Sequence, residues 1–179
     1  MDVPIEQLQY PLGPWAWPKT VSSDDIAAWT QEIAALPAQL HAAIAGLDDE
    51  QLDTPYRLEG WTVRQVVHHI ADSHLNSQCR FRWALTEDEP TIKPYDQPAW
   101  GALPDCLAAP IEPSLLMIEG LHQRWVALAK SITPEQWLRQ FYHPEHSQPL
   151  RLDKTLGMYA WHGKHHVAHI TGLRERSGW

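Results

Sequence analysis

The chain has 179 residues, 44% of them hydrophobic and ten of them tryptophan, which excludes a disordered composition and fits one globular domain spanning residues 1–179. A formal charge of −8 without any block of Lys and Arg argues against partners that are nucleic acids or anionic membrane surfaces, and leaves small molecules as the expected substrates. Two cysteines, Cys79 and Cys106, make no disulfide framework; no signal-peptide pattern opens the chain and no run reaches the ~20 apolar residues of a membrane span, so a cytoplasmic setting is expected.

Four segments read as long helices. The first begins at SSDDIAAWTQEIAALPAQLHAAIAGL, where Ser22 or Ser23 can cap it and Asp24 and Asp25 suit its positive end. Ile26, Trp29, Ile33, Leu36, Leu40 and Ile44 form one apolar stripe, and Pro37 is expected to kink it. The second starts after Gly60-Trp61 with the capping box Thr62-x-x-Gln65 and runs to about Glu87; its stripe includes Val63, Val66, Val67, Ile70, Phe81, Ala84 and Leu85. A stretch with six prolines, DEPTIKPYDQPAWGALPDCLAAPIEP, follows. Prolines at this density argue against a regular helix or central strand, which leaves a long loop acting as a lid, a pocket wall or a rigid tether. The third helix spans about Pro113 to Ser131, with Leu116, Leu121, Trp125 and Leu128 inward. A capped turn, TPEQW, comes next, then RQFYHPEHSQPLRL, which can hold a small hairpin. The fourth helix runs from near Asp153 to about Arg176. The fold class expected is all-α, a four-helix bundle with a long Pro-rich loop between helices two and three.

Histidine is the outlier, with eleven copies, four of them in the nine residues WHGKHHVAH. On a helix, offsets of three, four and seven share a face, so His162, His165, His166 and His169 fall within about 100° of one another. Two i,i+4 pairs result, His162 with His166 and His165 with His169, and either can share one metal ion. The second helix carries VVHHIADSH, in which His69 lies in angle between the inward Val66 and Ile70. Asp72, one turn on, can accept the second N–H of an imidazole or act as a base. Three histidines and an open fourth position form the catalytic pattern for zinc, and neither cysteine has the partner a closed structural site needs. Glu119-Gly120-Leu121-His122 matches Glu-x-x-His, but a di-iron bundle needs two such motifs and only one is present; an exposed pair is the simpler reading.

LDTPYRLEGWTVRQVVHHIADSHLNS followed by YAWHGKHHVAHITGL, with YPLG, TIKPYD and FYHPE, resembles the DinB-like superfamily, specifically its YfiT-like branch. The resemblance implies a four-helix bundle holding one divalent metal, zinc or nickel, on three histidines. Carried over by motif, these are His69 before the aliphatic residue of H-H-I and the first and third histidines of W-H-x-x-H-H, His162 and His166. It also makes a homodimer plausible, for which Trp15 and Trp17 offer an aromatic patch. Members of the branch are described as metal-dependent hydrolases or as transferases of the low-molecular-weight thiol bacillithiol. Gly163, inside the motif, would leave room for metal or substrate. Arg64, Arg80 and Arg82 are candidate anchors for an acidic thiol, or simply solvated charges. Three functions follow: thiol transfer, favoured because no general base stands out; hydrolysis by a metal-activated water; and a non-enzymatic metal-binding bundle closed by a fourth ligand such as His165, His169 or His143.

Overall fold

A computed structural model describes residues 3–179. Four long helices dominate it: α1 (Ser23–Ile44), α2 (Val63–Thr86), α3 (Glu112–Ser131) and α4 (Leu152–Ser177). Going round the bundle the neighbours are α1, α4, α2, α3, so helices consecutive in sequence at either end of the chain sit diagonally opposite one another. That order makes α2 and α4, which carry the two histidine clusters, adjacent. Among the described residues no helix is long and apolar enough to cross a membrane.

Local chemistry places the helix starts. The Ser22 hydroxyl accepts the Asp25 N–H at 3.2 Å and the Asp25 carboxylate accepts the Ser22 N–H at 2.8 Å. Thr62 and Gln65 close the same reciprocal box on α2, at 3.2 and 2.9 Å. Each such cap contributes about 1 kcal/mol. At the other end of the chain α4 stops where Gly178 turns left-handed, at φ 73°.

The interior has three layers. One apolar cluster gathers Leu36, Leu40, Val63, Val66, Ile70, Ile118 and Ile170. A second gathers Ile33, Phe81, Trp125, Phe141, Leu152 and Leu156 at the opposite end. Between them on α2, α3 and α4 lies a buried polar belt that includes His69, Ser73, His74, Ser77, His122, His165, His166 and His169. A short hairpin, β1 (Gln140–His143) with β2 (Gln148–Arg151), covers the end nearest the second cluster.

Several expectations need correction. Leu116 is 68% exposed, and Leu115 takes the inward place because the α3 stripe runs Ile111, Leu115, Ile118, Trp125, Ala129. The Pro-rich stretch holds two one-turn helices, Gln97–Gly101 and Pro104–Ala108, each with proline in its first turn, where its missing N–H costs nothing. The stretch is a wall pinned to α2: Gln65 Nε2 donates to the Gly101 carbonyl at 2.8 Å and Gly101 packs on the Trp61 indole. Gly163 makes room for a helix and not for a ligand, since a Cβ there would lie 2.6 Å from Leu36 of α1. Trp15 is half-buried against Trp29 and Trp161, and Trp17, packed edge-on to it, stays 40% exposed.

The contact between α1 and α4 yields a stability prediction. Gly163→Val forces three carbons against Leu36, which is 2% exposed and has nowhere to move. A loss of about 2 kcal/mol is expected in urea unfolding, the usual scale of overpacking; an unchanged midpoint would mean that α4 is free to shift away from α1.

Candidate metal centre

A ring nitrogen from each of His69, His162 and His166 lies within 4.8 Å of the others. His69 Nε2 and His162 Nε2 face each other at 3.2 Å. Tetrahedral zinc with Zn–N bonds near 2.0–2.1 Å sets its ligand nitrogens about 3.3 Å apart, so the His69–His162 pair already has the spacing a small divalent cation requires, with the His166 nitrogen inside the 4.8 Å cluster. Burial, reinforced by the neighbouring rings, pushes the imidazoles of His162 and His166 well below their ordinary pKa, and burial pushes His69 down to about 4. All three are therefore neutral at pH 7, the state that coordinates metal.

Which nitrogen of each ring is bare follows from its partners. His122 Nδ1 lies 2.6 Å from the Ile33 carbonyl, an oxygen that can only accept, so Nδ1 carries the proton and Nε2 does not. His74 Nδ1, 2.9 Å from that bare Nε2, must donate to it. The remaining His74 nitrogen then accepts from His162 Nδ1 at 3.1 Å. His162 is left with its Nε2 lone pair turned toward His69. A shorter chain does the same for His166. The Gln9 carbonyl accepts from His169 Nε2–H at 3.1 Å, so His169 Nδ1 accepts from His166 Nδ1–H at 3.3 Å and the His166 Nε2 is bare. Both α4 rings are thus held in one tautomer by another histidine and, finally, by a main-chain carbonyl.

The Ile33 carbonyl is available because of Pro37. In a regular helix it would accept the N–H of residue 37, and proline has none. The helix defect therefore leaves an acceptor aimed at α3, and His122 occupies it.

Asp72, expected to orient an imidazole, does not: among the described residues its carboxylate bonds no ring. It is half-buried, and burial, then the charge of Asp105, raises its carboxyl to about 6. Its expected role falls to His74, His122 and His169. His74 and His122 were not anticipated as participants; His122 is 1% exposed, so the exposed-pair reading of Glu-x-x-His holds only for Glu119, which meets His41 at 2.7 Å. The detectable signal was Pro37 four residues after Ile33 on the inward stripe. None of the three candidate closing ligands joins the cluster: His169 is the tether of His166, His165 stacks on Trp161 at 4.4 Å, and His143 packs on His146 beside the hairpin. Arg64 is tied to Asp49, Asp53 and the Ala109 carbonyl, Arg82 is exposed, and Arg80 is buried farther along α2.

The cluster adjoins a cavity of about 330 Å³ whose lining includes Tyr10, Tyr56, Trp61, Gln97, His165 and His166. Trp61 packs on His69 at 4.5 Å and Tyr56 stacks on His169 at 4.0 Å. Gln97 belongs to the Pro-rich stretch, which therefore serves as a pocket wall. Larger hollows elsewhere, such as one of about 590 Å³ beside His41 and Glu119, hold no converging ligand set. Burial raises the Cys106 thiol to about 11, so it is no nucleophile at pH 7.

A family model described as the DinB superfamily matches residues 32–170. The chain belongs to the DinB superfamily. A relative from Bacillus mycoides is 51% identical over 98% of this chain and 100% of its own length, and one from Bacillus cereus is 50% identical with the same coverage. Both carry the provisional name of metal-dependent hydrolase. The solved structure of YfiT from Bacillus subtilis, described as a four-helix bundle of unusual topology, superposes with a TM-score of 0.95 at 47% identity, over 97% of this chain and 99% of that one. The chain is therefore a DinB-superfamily bundle with the fold of YfiT.

Two outcomes test the tautomer chain. Pro37→Ala returns an N–H to the Ile33 carbonyl: thermal stability of the metal-free protein is expected to rise while zinc affinity, measured against a chelator, falls several-fold; a purely local proline effect would raise stability alone. His122→Phe is expected to weaken zinc binding about 10–100-fold with helix content retained. A pH prediction follows from the buried rings. His69, His143, His165 and His169 are held near 4, chiefly by burial, against 6.5 for the free side chain. Between these values the unfolded chain binds more protons, so stability of the metal-free protein is full above about pH 6.5 and is lost as pH falls toward 4. A urea midpoint that stays flat across that window would contradict it.

Proposed function

We propose that this DinB-superfamily chain is a metal-dependent hydrolase of small molecules, with His69, His162 and His166 holding one zinc or nickel ion. The observation that carries the reading is the convergence of neutral Nε2 atoms beside a cavity, with no fourth protein ligand among the described residues. When bound, a divalent cation at such a site lowers the pKa of a coordinated water to about 7, or deprotonates a coordinated thiol, which makes a nucleophile without a protein base. The protein's own part is division of labour: three rings present lone pairs, His74, His122 and His169 fix the opposite protons of the two α4 rings, and Trp61 and Tyr56 exclude bulk water from one side. The names of the relatives support hydrolysis.

Thiol transfer is the second reading. It is favoured by one feature: among the described residues no carboxylate hydrogen-bonds to the cluster, and the acid that lines the cavity, Glu59, is exposed, whereas a thiol needs only to be deprotonated and attack. We further propose a reducing, cytoplasmic setting, consistent with the unpaired Cys79 and Cys106, and a homodimer.

The zinc- and nickel-loaded protein should be incubated with an activated ester and, separately, with an alkylating electrophile, each with and without a low-molecular-weight thiol. Hydrolysis predicts ester turnover that thiol leaves unchanged; transfer predicts consumption of the electrophile only when thiol is present. In either case His69→Ala, His162→Ala and His166→Ala should each lower turnover at least 100-fold and lose the metal. Wild-type metal retention in all three would remove the proposed ligand set.

A further inference from the structure

Three turns beyond His69, the same face of α2 carries a second unsatisfied site. His69, Ser73, Ser77 and Arg80 are spaced four, four and three residues apart, so they line one side of the helix over a rise of about 16 Å. All four are buried: 5, 4, 0 and 6% exposed. Arginine is almost never buried unless an acid or several carbonyls meet it. Arg64, on the same helix and equally buried, shows the usual arrangement with two aspartates and a carbonyl. Arg139, Arg174 and Arg176 each find main-chain carbonyls. Arg80 has neither. Among the described residues its hydrogen bond is to the neutral Tyr159 hydroxyl, at 3.4 Å.

The groups around it are also short of partners. The Ser77 hydroxyl, the Tyr95 hydroxyl and His143 Nδ1 are buried without a hydrogen bond. The Tyr95 hydroxyl lies near Ser73 without meeting hydrogen-bond geometry and feels the charges of Arg80 and Asp72, and the Arg80 charge helps to hold His143 neutral, after burial. Other helix hydroxyls, those of Thr30, Thr86 and Thr155, bond back to the carbonyl four residues earlier; Ser77 does not. A permanent cation, a serine hydroxyl one turn before it on α2, and a tyrosine hydroxyl and an imidazole that both feel its charge thus share one region, and among the described residues none of them bonds a carboxylate.

We propose that Arg80, Ser77, Tyr95 and His143 form an anion subsite that binds the carboxylate of an acidic small-molecule substrate, with Ser73 and Tyr159 joining it to the three-histidine centre. Tyr159 makes the link physically: its hydroxyl meets Arg80, and its ring lies 5.7 Å from that of His162. The planar guanidinium fork suits a carboxylate, which accepts two parallel N–H bonds and further hydroxyl donors. Calling the ligand a substrate rests on the enzyme reading above; the anion site itself does not.

The test therefore needs no turnover. Full-length protein, zinc-loaded and metal-free, is titrated with propionate, and with propionamide as the uncharged control, at constant ionic strength without chloride. Binding is followed by the arginine Nε–H resonances and by thermal unfolding. The Arg80 signal is expected to shift saturably with propionate in both forms and to ignore propionamide. Arg80→Met should weaken the stabilisation by propionate at least tenfold in apparent affinity, whereas Arg82→Met, on the exposed face, leaves it within twofold. Ser77→Ala and Tyr95→Phe, which keep the guanidinium, should weaken binding two- to fivefold and keep the test decisive if Arg80→Met fails to fold. A guanidinium with only a structural role would give an Arg80→Met protein with a lower melting temperature and an unchanged response to propionate. That result, or no saturable shift in the wild type, overturns the subsite. Failure of the ester and electrophile assays would sink the enzyme and leave this titration standing.

Discussion

A carbonyl without a helical partner, on Ile33, is the constraint on which the centre rests. A lone imidazole in a dry interior has two tautomers of similar energy, and only one of them presents the nitrogen that faces the cluster. A main-chain oxygen cannot donate, so it breaks that symmetry, and each ring passes the choice on to the next. The order runs from Pro37, through the carbonyl it frees, to His122, His74 and His162. The Gln9 carbonyl does the same work for His166 through His169. Burial supplies the second condition. It suppresses protonation of the rings, without which every link could become a donor at both ends and the direction would be lost.

A polar belt through the middle of a bundle is costly unless its members satisfy one another. Here apolar layers on both sides hold the backbone, so the belt is not asked to stabilise the fold. Trp125 and Tyr159 lie edge-on to His74 at 5.7 and 5.2 Å, which keeps the chain dry and its geometry fixed. The belt is satisfied along the two relays that orient His162 and His166, and carries unpartnered atoms at Ser77, beside Arg80, and at His165 Nδ1.

The bundle and the candidate ligand set were legible because they depend on local periodicity. Capping boxes at Ser22 and Thr62, the apolar stripes, and the i,i+4 step from His162 to His166 are all properties of a single helix. His69 could be placed because Val66 and Ile70 bracket it. Legibility ended where two helices meet. Leu116 and Leu115 are both plausible core residues from periodicity alone, and only the packing of α3 against α1 and α2 chooses between them. Gly163 looked like space for a ligand because the sequence cannot show Leu36 arriving from another helix. Asp72 lay within one turn of a histidine, yet proximity along a helix did not bring its carboxylate to a ring.

The sequence by itself determined the four long helices, most of their apolar stripes and which imidazoles lie on a common stripe, since those follow from dihedral preference and a 3.6-residue period. It also contained the missing N–H of Pro37, but not its consequence. Only the tertiary structure decided that His122 reaches the freed carbonyl, that His74 bridges to His162, and that Arg80 is enclosed without an acid. Each of those is a contact between helices distant in the chain, set by the order α1, α4, α2, α3 around the bundle, and no one-dimensional pattern encodes which neighbour a side chain will face.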